Sequence, residues 1–111
     1  MTDKIIILTT CDSEEQAKSI AHGLVEKRLA ACVNIAPGVQ SVYRWKGAIE
    51  EAKEFLLIIK SRRDLLDRLR SALQNMHSYD VPEIIAFAIV DGSEQYLDWM
   101  DRELPELSEP A

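Results

Sequence analysis

Three segments of this chain are apolar at consecutive positions, and this feature restricts the possible folds more than any other. They are residues 5–8, 55–59 and 84–90, and they are rich in isoleucine, leucine and phenylalanine. Runs of this length predict strands, and a strand that is apolar on both faces is normally buried on both faces. The fold must therefore cover both faces of its sheet.

Helical periodicity occupies the stretches between these strands. Ser13 and Gln16 form the S-x-x-Q pattern of a capping box, and apolar residues follow at helical spacing. Residues 61–76 predict a second helix. Residues 93–104 predict a third helix, with Ser93 as its N-cap, Tyr96 on its apolar line and Pro105 at its end. The strands and helices therefore alternate along most of the chain.

The resulting order is β-α-β-β-α-β-α, which predicts an α+β fold of the ferredoxin-like split β-α-β type with an extra C-terminal helix. A length of 111 residues suits one domain, so we expect a single domain over residues 1–111 with a loose tail at 105–111. In this fold both main helices lie on one sheet face. The second apolar face is then left for another molecule to cover.

The second and third strands form a long hairpin in this arrangement. Tyr43 and Trp45 alternate with polar residues, Lys46-Gly47 supplies a turn, and Pro37-Gly38 predicts a kink or bulge. Residues 48–60 would extend ~43 Å at ~3.3 Å per residue, longer than a compact domain with a radius of gyration near ~13 Å requires. An overhanging edge recruits other strands, so we expect an obligate homo-oligomer with Tyr43 and Trp45 in the subunit interface. The alternative is a hairpin that bends at Pro37-Gly38 and folds back on its own domain.

Composition and charge exclude several classes of partner. The chain has 13 basic and 19 acidic residues and a net charge of -6, so no nucleic acid held by phosphate contacts is expected. Its apolar runs fall far short of the roughly 20 residues that span a bilayer, so no membrane partner is expected, and no signal peptide is visible. Two cysteines, Cys11 and Cys32, cannot form a disulfide framework. These features predict a cytoplasmic protein.

Few residues offer recognisable catalytic chemistry. The sequence contains neither a phosphate-binding glycine loop nor a hydrolase nucleophile elbow. His77 stands at the end of the second helix, where it could ligate a metal or act as a general base with Glu83 nearby. The alternative is a helix C-cap histidine beside a tethering Tyr79. Residues 61–63, at the predicted helix start, could hold a small anion, although a solvated helix end is the commoner arrangement.

Four segments of the chain, in order, resemble the CutA family of divalent-cation tolerance proteins. They are residues 24–35 (LVEKRLAACVNI), 41–47 (SVYRWKG), 77–85 (HSYDVPEII) and 96–99 (YLDW). The resemblance implies a homotrimer whose long hairpins add strands to neighbouring subunits. It also implies an architecture shared with PII-type signalling proteins, which hold small ligands in clefts between subunits.

The resemblance also implies candidate metal ligands. In members of the family linked to copper, a cysteine near the end of the first strand joins two adjacent histidines. Here Thr9 stands at the cysteine position and Met76 at the first histidine, so only the second histidine, His77, is retained. Cys11, Met76 and His77 offer ligands that could form a replacement site for copper, since thiols and thioethers suit Cu(I). No other cofactor is implied.

Two functions are consistent with this resemblance. The first is a non-enzymatic, trimeric divalent-cation tolerance protein that acts in the response to metal ions and binds copper or another divalent cation. The alternative is a PII-like sensor of a small ligand, for example an anion, in an inter-subunit cleft lined by Cys32, Lys60, His77, Tyr79 and Glu83. An enzyme with His77 as general base is the least favoured hypothesis, because no nucleophile or activated water site is recognisable.

Overall fold

The computed structural model describes residues 2–106, and within them it confirms the order β-α-β-β-α-β-α. The elements are β1 (Lys4–Cys11), α1 (Glu14–Glu26), β2 (Cys32–Trp45), β3 (Ala48–Arg62), α2 (Leu66–Met76, after a short 3-10 turn at Arg63–Leu65), β4 (Ile85–Ala88) and α3 (Glu94–Glu103). Of the tail predicted at 105–111, residues 107–111 lie outside the described residues.

The four strands form one antiparallel sheet in the order β2-β3-β1-β4, as the ferredoxin-like prediction requires. The two central strands, β1 and β3, pair along the whole length of β1, with Ile7 opposite Ile59. The expectation of a strand over residues 84–90 is wrong at both ends, because only Ile85–Ala88 pairs with β1. The chain then leaves the ladder, although Ile89 N still donates to Lys4 O.

The helices cover one face of the sheet and leave the other open. The buried core on the helix side includes Ile5, Ile7, Cys11, Ala17, Ile20, Leu24, Leu57, Ile59, Leu69 and Leu73. Side chains alternate along a strand, so Ile6 and Leu8 point to the opposite face. On that face Ile85 and Phe87 of β4 remain 46% and 49% exposed. The prediction of an apolar second face is therefore confirmed, and no element within residues 2–106 covers it.

The hairpin of β2 and β3 has the predicted turn and bulge. Lys46 and Gly47 both have positive φ, 51° and 82°, which is the backbone that a two-residue hairpin loop needs to match strand twist. The register shifts between Ala36 and Val39, where Gly38 has a φ of 77°. The molecule measures 46 × 27 × 25 Å with a radius of gyration of 14.9 Å, above the ~13 Å of a compact chain of this length. We call residues 39–54 the arm.

The start of the second helix differs from the prediction. β3 continues through Ser61 and Arg62, and α2 begins at Leu66 without a side-chain cap. Ser61 Oγ donates to Leu29 O at 2.6 Å, so this hydroxyl connects β3 to the turn that follows α1 and caps no helix. The anion site proposed for residues 61–63 is therefore wrong, and so is the solvated helix end at Arg62, whose side chain is buried.

The third helix closes one end of the sheet. Ser93 Oγ accepts a hydrogen bond from Tyr96 N at 3.2 Å, which confirms the predicted N-cap. Met100 and Leu104 are buried with Ala31 and Leu65 in a second small cluster. Tyr96, expected on the apolar line of this helix, is 41% exposed, and Trp99 packs against the cluster in its place.

Candidate functional site

A cleft of about 610 Å³ lies between the arm and the joint that connects α2 to β4. It is lined by Thr10 of β1, by Ser41, Val42, Tyr43, Trp45 and Glu54 of the arm, and by Tyr79, Asp80, Val81 and Glu83 of the joint. The arm therefore curves enough to face its own domain, as the bent-hairpin alternative proposed. It does not pack there, since residues 42–50 are all exposed.

The charged residues that line the cleft are all acidic. Glu54, Asp80 and Glu83 contribute three carboxylates, and no lysine, arginine or histidine is among the lining residues. Tyr43, Trp45 and Tyr79 supply aromatic surface, although Tyr43 and Trp45 keep about 45% and 46% of their area exposed. A small anion was one of the ligands considered for an inter-subunit cleft. These lining residues offer no cationic group to bind it.

Tyr79 and Glu54 join the joint to the base of the arm. Tyr79 Oη donates a hydrogen bond to Glu54 Oε2 at 2.7 Å. Burial, reinforced by this bond to a carboxylate, raises the pKa of Tyr79 above its usual value, so the phenol keeps its proton and remains a donor. Glu54 itself is 7% exposed, and no ion pair within residues 2–106 includes it.

His77 is held by the backbone at both ring nitrogens. Nδ1 accepts the N–H of Tyr79 at 3.0 Å, so Nε2 carries the proton that it donates to Thr10 O at 2.7 Å. The ring also lies 4.7 Å from the ring of Tyr79. With both nitrogens engaged, His77 has no lone pair for a metal or for abstracting a proton. The geometry therefore matches the C-cap alternative with a tethered Tyr79 and offers no support for a general base.

The other two candidate copper ligands serve the core. Cys11 is fully buried with Sγ 3.7 Å from Ser13 O, and burial raises the pKa of its thiol, which disfavours the thiolate that binds metals. Met76 packs on α1, where a Cβ on Gly23 would lie only 2.9 Å from Met76 Sδ. Nowhere between residues 2 and 106 do three His, Cys, Asp or Glu residues gather closely enough to hold a metal ion. Among the described residues of one chain, Cys11, Met76 and His77 are thus engaged in packing and hydrogen bonds, and copper binding by them stays a prediction.

Cys32 and Lys60 lie apart from the cleft. They are paired across β2 and β3, and Lys60 Nζ donates to Asn34 Oδ1 and lies 3.9 Å from Cys32 Sγ. Lys60 lies six positions after Glu54 in β3, a distance of roughly 20 Å in an extended strand. One chain thus brings Tyr79 and Glu83 together and leaves Cys32 and Lys60 elsewhere. Their meeting in an inter-subunit cleft stays a prediction.

Glu54 and Arg62 are among the buried charged residues that sequence reasoning missed. Glu54 precedes an apolar run in a strand half that is otherwise polar, and no motif distinguishes it from Glu50 or Glu51. Arg62 is 1% exposed and donates to Asp64, to Asp101 and, at 2.6 Å, to Pro105 O. Contacts across 39 and 43 residues leave no local signal in the sequence.

Comparison with known proteins shows the family to which this chain belongs. Residues 5–103 match the family model described as CutA1 divalent ion tolerance protein. The chain belongs to this family. Within residues 2–106, every helix falls short of the length and hydrophobicity that a transmembrane segment requires. The CutA1 family carries a role in divalent-cation tolerance, which agrees with the resemblance that the four sequence segments indicated.

Individual members of the CutA family are similar in sequence and in fold. The divalent-cation tolerance protein CutA of Thermus thermophilus is 47% identical over 95 residues, covering 86% of this chain and 92% of that protein. The crystal structure of CutA from Xylella fastidiosa superposes with a TM-score of 0.92 at 38% identity, covering 94% of this chain and all of that one. A CutA from Archaeoglobus fulgidus, described as periplasmic, gives 0.88 at 43% identity, covering 90% and 97%.

Proposed function

We propose that this CutA family member acts in divalent-cation tolerance as a homotrimer and catalyses no reaction. The observation that carries the proposal is the open sheet face, with Ile85 and Phe87 nearly half exposed on β4. Exposed apolar area of this kind is characteristic of a surface that another protein covers. A second copy of the chain is the occupant that the overhanging arm also favours.

The two edges of the sheet favour a ring over a two-fold dimer. β2 and β4 are the outer strands, and they differ in length, since β2 has 14 residues and β4 has 4. If the arm of one copy adds to β4 of the next, the contact is heterologous, and heterologous contacts that close give cyclic oligomers. The sheet geometry supports a ring, and the number three comes from the family resemblance.

Sedimentation equilibrium of the wild type and two matched variants tests this assembly. The wild type should give about three times 12.6 kDa across micromolar dilution. Phe87→Asp should abolish the trimer, because it places a charge on the surface proposed to be covered. Val25→Asp, at a residue 44% exposed on α1, should leave the trimer intact. A stable wild-type monomer, or equal behaviour of both variants, would contradict the proposal.

A PII-like sensor is the second candidate, and the cleft beside Glu54 is the observation that favours it. At about 610 Å³ the cleft is within the size range of small-molecule sites. A thermal-shift screen with metabolites, run beside equilibrium dialysis with copper and zinc, separates the two candidates. A melting temperature raised by a metabolite in the absence of metal favours the sensor, since a ligand that binds only the folded state stabilises it.

The absence of catalysis and the cytoplasmic location are part of the same proposal. The engaged ring nitrogens of His77 support a non-enzymatic role, because the one candidate base has no free lone pair. Two free thiols, Cys11 and Cys32, are compatible with a reducing compartment. Because the Archaeoglobus protein is described as periplasmic, cell fractionation with a tagged full chain is the direct test of location. Turnover abolished by His77→Ala would contradict the non-enzymatic role.

A further inference from the structure

The segment that connects β4 to α3 contains an aspartate followed by a glycine. Asp91 and Gly92 are both exposed, and they belong neither to β4 nor to the arm, which a second copy is proposed to contact. Gly92 N donates to Asp91 Oδ1 at 2.8 Å, and no other acceptor for this N–H is present within residues 2–106. The backbone nitrogen of Gly92 therefore lies against the side-chain carboxyl of the preceding residue.

This contact brings together the two groups that react when an aspartate isomerises. A main-chain nitrogen that attacks the carboxyl carbon of the preceding side chain closes a five-membered ring, and a side chain on the attacking residue obstructs that approach. Glycine has no side chain and tolerates the backbone rotation that ring closure requires. The chain has eight aspartates, and Asp91 is the one that precedes a glycine.

The other aspartates lack this combination of features. Asp98 and Asp101 lie inside α3, where the next backbone N–H donates to a carbonyl four residues earlier and is held away from the side chain. Asp80 precedes Val81, whose β-branched side chain obstructs the attacking nitrogen. Asp91 therefore combines a glycine neighbour, an exposed position and an N–H that no backbone carbonyl within residues 2–106 accepts.

We propose that Asp91 is a site of spontaneous isomerisation to isoaspartate. Gly92 N forms a bond to Asp91 Cγ, and the hydroxyl of the protonated carboxyl leaves as water with the proton of the N–H, which gives a succinimide. Water then adds to the main-chain carbonyl carbon of residue 91 and breaks its bond to Gly92 N, so the chain continues through Cγ. Hydrolysis at the other ring carbonyl restores aspartate. One water leaves and one enters, so the isomerisation needs no oxidant, reductant or cofactor.

The product changes the start of α3. Ser93 is the N-cap, since its Oγ accepts from Tyr96 N at 3.2 Å and its carbonyl accepts from Leu97 N at 3.0 Å. Isoaspartate adds one methylene to the backbone two residues before this cap, while Arg62 holds the other end of α3. We expect the first turn of α3 to loosen, because the longer connection displaces Ser93 from the cap position. The inference depends neither on the divalent-cation role nor on the trimer.

Incubation of the purified full-length protein for several weeks at physiological temperature and pH tests the site. Cleavage after glutamate releases residues 84–94, a peptide whose sole aspartate is Asp91. The aspartate and isoaspartate peptides have the same mass and are separated by reversed-phase chromatography against synthetic standards. We expect isoaspartate to form at Asp91 at least about tenfold faster than at Asp12 or Asp80, because only Asp91 precedes a residue without a side chain. The same incubation in urea gives the rate in the unfolded chain, and we expect a comparable rate in the folded protein.

Two matched variants test the chemistry. Asp91→Glu keeps the charge but would have to close a six-membered ring, so we expect no detectable isomer. Gly92→Ala places a methyl group on the attacking residue and should slow the reaction at least about tenfold. Alanine fits here, because Gly92 lacks the positive φ of Gly38 and Gly47 and a Cβ would meet only the flexible end of Leu97 at 3.3 Å.

Thermal melting of the incubated samples tests the consequence for α3. The isomerised fraction of the wild type should melt roughly 2–8 °C below the intact fraction, the range expected for a lost N-cap in a chain of this length. Incubated Asp91→Glu should melt as it did before incubation.

Three results would overturn the inference. Isoaspartate that forms in urea but not in the folded protein would show that the fold or the assembly protects Asp91. Equal rates in the wild type and Gly92→Ala would remove the requirement for glycine. An isomerised wild type whose melting temperature is unchanged would remove the proposed effect on α3.

Discussion

Tyr79 Oη lies 2.7 Å from Glu54 Oε2, and through this hydrogen bond the joint after α2 holds the base of the arm. The same joint is fixed to β1 by His77, whose Nε2 donates to Thr10 O at 2.7 Å. Gln16 adds a third attachment, since its side chain donates to Met76 O and accepts from Ser78 N. The shape of the cleft therefore depends on side chains that connect β1, α1 and β3 to one irregular segment.

Tyr79→Phe should lower the free energy of unfolding by about 1–3 kcal/mol, because it removes the one side-chain donor that satisfies a buried carboxylate. Urea denaturation at pH 7 measures the change. Tyr96→Phe is the matched control, since Tyr96 is 41% exposed, and we expect a change within about 0.5 kcal/mol. Equal effects of the two substitutions would show that the Tyr79–Glu54 bond contributes nothing.

The free energy of unfolding should also decrease at alkaline pH, because Tyr79 has different pKa values in the folded and unfolded chain. The pKa of Tyr79 is raised in the folded protein, by burial first and then by the bond to Glu54. Above the usual value of about 10, the unfolded chain loses this proton while the folded chain keeps it, so the free energy of unfolding decreases as pH rises. Tyr79→Phe should flatten the decline measured between about pH 9 and 11. An unchanged slope would contradict the assignment.

Arg62→Met should destabilise the protein by ~3 kcal/mol, since it removes the buried guanidinium that donates to Asp64, Asp101 and Pro105 O. This loss of stability is at the low end for a buried ion pair, because the Asp101 side chain is 41% exposed and can be rehydrated. Arg63→Met, at the exposed neighbouring residue, should change stability by less than about 0.5 kcal/mol. Urea unfolding followed by Trp99 fluorescence in a Trp45→Phe background would show whether α3 detaches first.

His77→Ala should leave the amount of copper bound per chain unchanged, because neither ring nitrogen has a free lone pair. It should nevertheless lower the free energy of unfolding by about 1–3 kcal/mol through the loss of two hydrogen bonds at a buried position. Equilibrium dialysis against copper and urea denaturation measure the two effects, with the exposed His22→Ala as control. A loss of bound copper in His77→Ala alone would restore His77 as a ligand.

Replacing both Tyr43 and Trp45 with Ala should weaken assembly. In the single chain the two rings are 45% and 46% exposed, and each truncation would cost about 3–5 kcal/mol if the ring is fully buried between subunits. Because a monomer would expose its apolar sheet face, we expect aggregated or unfolded protein and little stable monomer. Sedimentation equilibrium and circular dichroism measure the outcome. A well-folded trimeric double variant would remove these residues from the interface.

Local patterns predicted the elements that depend on near neighbours in the chain. The caps at Ser13 and Ser93, the turn at Lys46-Gly47 and the bulge at Gly38 are all present, because each depends on backbone geometry within a few residues. The Ser13 capping box is only half formed, since the Gln16 side chain bridges to α2 and does not return to Ser13. The hydrogen-bond partner of the Gln16 side chain therefore depends on α2, whose Met76 lies 60 residues away in the sequence.

The sequence by itself determined which strands and helices form and that one sheet face must be covered, because hydrophobic period and turn chemistry are local properties. Only the tertiary structure decided what the polar residues do. It buried Arg62 where a helix end was expected, engaged both nitrogens of His77, and selected Glu54 from several similar glutamates for a place in the cleft. The physical reason is that burial and hydrogen bonding of a polar group are set by distant segments, whose approach no local pattern records.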